Sequence, residues 1–306
     1  MLVRLPALFL VCCLMLTTSL VMAQETVDVY ILSGQSNMAG SGNKSHLPEQ
    51  WKAAHPSVQY WDGKKFVDFD PMQLSLHGSG RFGPEVGFAG TMASLQPRKT
   101  IYVVKFALSG QPLHAGFSGA KWMGDEPGPN RGTFYAGTSP EDPNMGNHYK
   151  RLHEQFTGAF AALKADGKTP QLKGIAWMQG EADAKHEISA TTYAQSIALL
   201  KSRIEEDCQS GPVPFAMGQV LPHIPWAPRF THRAEIRQAQ ADADMRSGSD
   251  LAILGVWNVP TDGMPMLADG VHYDTTGQLM LGTSLALGVL EAANQMKQVA
   301  VQDDPE

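Results

Sequence analysis

Apolar residues along this chain fall into short runs, separated by stretches of helical spacing and by long connections rich in glycine and proline. Residues 27–32, Val-Asp-Val-Tyr-Ile-Leu, alternate and predict a first strand. Residues 100–108 are almost continuously apolar, the pattern of a strand covered on both faces. Further runs at 172–178, 213–220 and 251–256 predict three more strands. Helices are predicted over 84–95, 147–165, 191–207, 229–246 and 276–296. The second of these places Tyr149, Leu152, Phe156, Ala159, Phe160 and Leu163 on one stripe. Strands alternating with helices imply βαβ units with right-handed crossovers. The expected fold class is α/β: a three-layer α/β/α sandwich around a mostly parallel, five-stranded sheet.

Two connections are long. Residues 41–82 hold no sustained period and read as an excursion with short strands near 58–61 and 65–69. Within it, Gly78-Ser79-Gly80-Arg81-Phe82-Gly83 matches the dinucleotide fingerprint G-x-G-x-x-G. The run before it is too short for a strand, however, and no acidic residue stands where a ribose ligand is required. Pro84 and Glu85 instead read as the first turn of the following helix. Residues 111–147 form a Gly/Pro/Asn-rich loop carrying Phe117, Trp122, Phe134 and Tyr135. Loops of this length are usually functional, and these aromatics suit either a sugar ring or the packing of the loop itself.

Composition changes the picture at the amino terminus. Residues 1–23 carry one charge, Arg4, then a long apolar run ending in Val21-Met22-Ala23, as in a secretory signal peptide cut near Ala23. The roughly 19 uncharged residues could span a bilayer, but Pro6 and Thr17-Thr18-Ser19 disfavour retention as an anchor. The expected organisation is a signal peptide at 1–23, one domain at 24–299 and a disordered tail at 300–306. Cys208 is the one cysteine beyond the leader, so neither an internal disulfide nor a thiolate metal site is expected. The formal charge is -6 without a dense Lys/Arg run, which argues against nucleic acid or an anionic membrane surface as partner.

The candidate chemistry lies where strands end. Ligands of open α/β sheets bind at the carboxyl ends of the strands, and polar clusters follow three of them: Ser36, Gly110 and Gln179. Asp269 and His272 arrive just before the last helix. A serine hydroxyl needs an adjacent base to act as a nucleophile. His272 suits that role, with Asp269 fixing the imidazole tautomer. Backbone N–H groups of Ser36 and Gly110, with the Gln179 amide, suit an oxyanion. Each group also has a plain structural reading: Ser36 as a helix cap, Gln179 as a partner for loop backbone, and Glu85, Glu181 and Asp183 as caps or turn formers.

The motifs Gly34-Gln35-Ser36-Asn37-Met38, Phe82-Gly83-Pro84-Glu85, Trp177-x-Gln179-Gly180-Glu181-x-Asp183 and Asp269-Gly270-x-His272 stand in order along the chain. Together they resemble the sialate O-acetylesterase-like branch of the SGNH (GDSL-like) hydrolases, which includes the family 6 carbohydrate esterases, the acetyl xylan esterases. The similarity spans about 26–295. It implies a flavodoxin-like SGNH sandwich and a serine esterase acting on O-acetylated carbohydrate, with no cofactor or metal. It further implies Ser36 as nucleophile, His272 as base and Asp269 as its partner. The oxyanion hole would be Ser36, Gly110 and Gln179, with Gln35, Asn37, Glu85 and Glu181 in supporting places. Gln35 and Gln179 stand where many GDSL enzymes carry Asp and Asn, as is usual in this branch. Ser109-Gly110-Gln111-Pro112 matches the branch's glycine block only loosely. Either Glu181 or Asp183 is open as a helper of Asp269.

Three rivals are weaker. An α/β-hydrolase elbow requires G-x-S-x-G, and Met38 occupies the last glycine position. A metallohydrolase lacks H-E-x-x-H or a similar ligand pair. A non-catalytic carbohydrate-binding protein on the same fold is the alternative from a different class.

Overall fold

The computed structural model describes residues 24–74, 78, 80–225 and 229–303. The expected leader at 1–23, the tail residues 304–306, Ser79 of the glycine motif and the end of the proline-rich turn at 226–228 lie outside the described residues.

Strand β1 (Glu25–Gly34) is the axis of the sheet. From Val27 onward every residue of it is buried: parallel strands flank it on both sides and helices cover both faces of the sheet. Those neighbours are β4 (Ile101–Ala107) and β5 (Lys168–Met178), and Gly34 lies level with Ala107 on one and Met178 on the other. Beyond β5 come β6 (Phe215–Gly218) and β7 (Val256–Val259), both parallel. Beyond β4 come β2 (His55–Trp61), parallel to it, and β3 (Phe66–Phe69), antiparallel to β2.

The sheet order is therefore β7-β6-β5-β1-β4-β2-β3, seven strands rather than the five expected. The extra two are the short strands of the 41–82 excursion. Trp61 and Phe69 are buried there, and Phe66 meets Tyr102 edge-on at 5.0 Å, so the excursion extends the sheet instead of looping free. The five main strands, all parallel, keep the doubly wound order in which the strand order reverses between β1 and β5, the switch point where ligands bind.

Helices α2 (Glu85–Leu95) and α7 (Thr275–Asp303) pack together on one face. On the other lie α3 (Asn147–Ala165) and α5 (Tyr193–Asp207), with α4 (Glu187–Thr191) and α6 (Arg233–Asp242) beside α5. The α3 stripe from Tyr149 to Leu163 is buried as its spacing implies.

Several boundaries differ from the sequence expectation. The run at 251–256 is not a strand. Leu251 and Ile253 pack half-buried on the core from a turn, Ile253 N–H donates to Ala243 O at 3.1 Å, and the strand begins only at Val256. The helix expected over 229–246 is confined to Arg233–Asp242, and the one expected from 191 is broken at Thr192 into α4 and α5. Helix α7 continues to Asp303, so residues 300–303, expected in a disordered tail, are helical.

Candidate active site

Between Val27 and Gly40 every residue is buried except Ser36. The backbone produces that exposure. Gly34 has φ +147°, and a Cβ there would stand 2.1 Å from Met178 O. Only glycine lets β1 and β5 approach so closely that Gln35 N–H donates to Met178 O at 2.9 Å. The chain then turns into α1 (Ser36–Ala39), with Ser36 as its first residue. Gln35 occupies the cap position and makes no side-chain cap bond, so the reading of Ser36 as a cap does not hold.

His272 lies on the loop before α7, pinned by a bridge between Met266 and Tyr273 and by Leu267 N–H donating to His272 O at 2.7 Å. Its Nε2 stands 2.9 Å from Ser36 Oγ, across 236 positions of sequence. Its Nδ1 stands 2.6 Å from Asp269 Oδ2. Asp269 Oδ1 accepts from the backbone N–H groups of Val271 and His272, both at 2.9 Å. Partial burial pushes the Asp269 carboxyl up. The bonds from the His272 ring and those two N–H groups outweigh it and hold the carboxyl below its usual range. A hydroxyl, an imidazole and a carboxylate thus stand in line, the geometry of nucleophile, base and orienting group.

Gly110 ends the turn after β4, exposed, with φ +71° and nothing within 4 Å of a would-be Cβ. The left-handed backbone, rather than space, favours glycine there. Because β4 neighbours β1, this turn emerges alongside Ser36. The Ser36 N–H, first in its helix, has no intrahelical partner.

The supporting residues sort into separate tasks. Asn37 Nδ2 donates to Glu181 Oε1 and to Val271 O, both at 2.8 Å, while its Oδ1 accepts from Tyr273 N at 3.1 Å. It ties the nucleophile turn to the histidine loop. Glu181 is buried and reaches that loop through Asn37. Burial raises its carboxyl, against bonds from its own backbone N–H and from Asn37.

Asp183 touches neither His272 nor Asp269. It accepts from Leu113 N and His114 N, each at 2.9 Å, and from Gln179 Nε2 at 2.5 Å, so it anchors the start of the 111–147 loop. Burial pushes its carboxyl up to about 6, against those three donors. Glu85 lies behind the nucleophile turn. It pairs with Lys105 at 2.5 Å, both side chains buried, and accepts from Gly83 N at 2.8 Å. Lys105 also donates to Ala39 O at 3.0 Å. Burial lowers the Lys105 ammonium, with Glu85 opposing.

Gln179 stands at the end of β5 as expected, but its amide is engaged. Nε2 faces Asp183 Oδ2 at 2.5 Å, Gln111 O at 3.1 Å and Gln35 Oε1 at 3.2 Å, and Oε1 accepts from Tyr193 OH at 2.8 Å. Lys105 and Tyr193 are the residues sequence reasoning missed. A lysine interrupting an apolar strand was a usable signal for the first; nothing in the pattern marks the second.

Of the loop aromatics, Phe117 and Phe134 are buried, and Phe134 meets Trp177 edge-on at 5.5 Å, so these pack the loop down. Trp122 is half-buried and stacks on His186 at 3.6 Å. A hollow of about 710 Å³ lies at the opposite, amino-terminal edge of the sheet, beside Asp28, Lys99 and Pro212, and holds none of the triad groups.

The model of the family described as "Carbohydrate esterase, sialic acid-specific acetylesterase" matches residues 26–291. A probable carbohydrate esterase of Arabidopsis thaliana is 24% identical over 274 residues, covering 86% of this chain and 90% of its own. Among solved structures, an Arabidopsis thaliana protein superposes with a TM-score of 0.61 at 20% identity, covering 86% of this chain and 98% of that one. NanS gives 0.58 at 15% identity, over 89% of this chain and 98% of its own. A carbohydrate acetylesterase of Xanthomonas citri gives 0.56 at 17%, over 88% of this chain and 57% of its own.

Proposed function

Because the chain belongs to the family of carbohydrate esterases described as sialic acid-specific acetylesterases, we propose that it is a secreted serine esterase that removes O-acetyl groups from acetylated saccharides. Ser36 Oγ attacks the acetyl carbonyl while His272 Nε2 takes its proton, and Asp269 stabilises the imidazolium that forms. The oxyanion is held by the N–H groups of Ser36 and Gly110, each such donor being worth about 3–4 kcal/mol. The third donor implied by the family resemblance, Gln179, is available only by breaking one of its present bonds. Collapse of the intermediate expels the sugar alkoxide, which takes the proton from His272 and leaves an acetyl ester on Ser36. Water, deprotonated by His272, then releases acetate.

One observation carries this reading: the aligned contacts of Ser36 Oγ, His272 and Asp269, at 2.9 and 2.6 Å. Secretion rests on the leader pattern of residues 1–23. Among the described residues, no helix is long and apolar enough to cross a membrane.

Acetate release from acetylated xylan, O-acetylated sialic acid and p-nitrophenyl acetate tests the proposal. The fastest natural substrate names the sugar. No release from any of them by folded protein contradicts the esterase reading and favours a carbohydrate-binding protein on the same fold.

A further inference from the structure

We propose that His148 and Gln111 are positioning residues for this reaction. His148 braces the Gln111 side chain, and Gln111 sets the Gly110 turn and the Gln179 amide in register around the acyl oxygen. The proposal rests on the serine esterase reading above and deepens it at the same site.

Ser109 and Gly110 are exposed at the tip of the turn after β4. Backbone bonds fix the chain on either side of that tip. Leu108 N–H donates to Gly34 O at 3.1 Å, Phe134 N–H donates to Pro112 O at 2.9 Å, and Leu113 N–H donates to Asp183. Gln111 supplies ties between them. Its Nε2 donates to Ser109 O at 3.1 Å, across Gly110, and its backbone O accepts from Gln179 Nε2, also at 3.1 Å. One residue therefore holds two of the proposed donor groups, the Gly110 N–H through the turn and the Gln179 amide directly.

The Gln111 side chain is only half-buried, and ordering it costs rotamer entropy that a partner must offset. His148, in the first turn of α3, is that partner: its Nε2 lies 2.8 Å from Gln111 Oε1. Ser109 O can only accept, so the Gln111 nitrogen faces it and Oε1 accepts from the ring. A neutral ring with its hydrogen on Nε2 leaves Nδ1 bare. Nδ1 is sealed from solvent and has no partner among the described residues. Burial and the Arg151 guanidinium both push the ring below the usual histidine range, which favours the neutral form. The ring packs on Phe134 at 5.6 Å between centroids, and His148 N–H donates to Thr133 O at 3.0 Å. An unpaired buried nitrogen costs stability, so stability alone favours an apolar ring at this position. The hydrogen bond to Gln111 is what the imidazole adds.

Activity on p-nitrophenyl acetate, which has no sugar, reads the acyl site alone. His148→Phe keeps a ring and removes the N–H; His148→Gln keeps an N–H near the place of Nε2. Gln111→Met removes the side-chain ties and leaves the backbone O. His148→Phe and Gln111→Met are each expected to lose about 10–100-fold in kcat, the order that a misplacement of about 1 Å costs. KM should stay within about threefold, as for an interaction made in the transition state, and His148→Gln should keep kcat within about threefold of wild type. In His148→Phe/Gln111→Met the two losses should not multiply, because both residues act through one contact.

Losses that multiply show separate actions and overturn the proposal. So do wild-type kcat in folded His148→Phe or Gln111→Met, an equal loss in His148→Gln and His148→Phe, and a change confined to KM for acetylated sugars. Should His148→Phe not fold, the other two variants decide. A kcat loss in Gln111→Met with His148→Gln near wild type supports the brace; retained kcat in Gln111→Met, or a loss in His148→Gln, refutes it. Ser36→Ala, run beside them, keeps the two readings apart. Activity that survives Ser36→Ala removes the esterase mechanism itself, whereas Ser36-dependent activity indifferent to Gln111 and His148 removes only this assignment.

Discussion

Asn37 Nδ2 donates to Glu181 Oε1 at 2.8 Å, joining the residue after the candidate nucleophile to the end of β5. The same nitrogen holds Val271 O at 2.8 Å, and Asn37 Oδ1 holds Tyr273 N at 3.1 Å, on either side of His272. Asn37→Ala removes all three bonds and leaves the buried Glu181 carboxyl without its side-chain donor. We expect a loss of about 1–3 kcal/mol in stability, read by denaturant unfolding. A drop in kcat of one to two orders of magnitude should accompany it, as His272 loses its fixed distance to Ser36. Wild-type kcat in this variant would show that the His272 loop is positioned without Asn37.

Asp269 meets the His272 ring from a partly exposed loop, so replacing it disturbs orientation more than packing. Asp269→Asn presents an amide to Nδ1 and favours the wrong imidazole tautomer. The expected outcome is a kcat loss of about 10⁴-fold with the melting temperature nearly unchanged, measured by steady-state kinetics and a thermal scan. Since bonds from His272 and Val271 hold the carboxyl below its usual range, Asp269 stays ionised through mildly acidic pH and does not set the acid limb of activity.

Asp183 gives a pH dependence of stability with a definite sign. Its carboxyl is raised by burial from 3.8 to about 6. A raised folded-state value means that its contribution is fully present below pH 3.8 and is lost as pH rises through about 6. At about 1.4 kcal/mol per pH unit, that loss is on the order of 3 kcal/mol. Asp183→Asn changes the bonding at every pH but removes this slope. The wild-type minus variant difference in unfolding free energy should therefore fall between pH 4 and 7. A flat or rising difference would contradict the assignment. Glu181, also raised by burial, adds a slope of the same sign that Asp183→Asn leaves in place.

The Lys105–Glu85 pair lies behind the nucleophile turn with both side chains buried. Lys105→Met strands the Glu85 carboxylate, for an expected cost of about 3–5 kcal/mol. The double variant Lys105→Met/Glu85→Met should recover part of that loss, because no unpaired charge remains. Chemical denaturation of both variants checks the ordering. Equal stability of the single and double variants would mean that Glu85 finds another partner.

Much of this was legible from residue order. Strands such as 27–32 and 172–178 announce themselves because a parallel sheet buried on both faces demands apolar runs. Once strand ends converge, Ser36, Gly110, Gln179 and the Asp269–His272 turn must approach one another. Period alone could not separate the apolar run at 251–256 from a strand, since Leu251 and Ile253 face the core from a turn. Nor could it show whether 58–61 joined the main sheet, which depends on pairing with a strand 43 residues later, Val58 lying level with Ile101. Hydrogen-bond occupancy was the least visible feature. Whether Gln179 is free or engaged is decided by Asp183, Tyr193 and Gln111, which come from three different segments.

The central claim is that Ser36 carries the acetyl group between sugar and water. The measurement that tests it most directly compares acetate release by wild type and Ser36→Ala, with mass-spectrometric search for an acetyl group on Ser36 during turnover. The account predicts a kcat loss on the order of 10⁶-fold in a folded variant and a transient acetyl ester mapped to Ser36. Retention of more than about a tenth of wild-type activity by Ser36→Ala, or an acetyl group mapped to another residue, would contradict it.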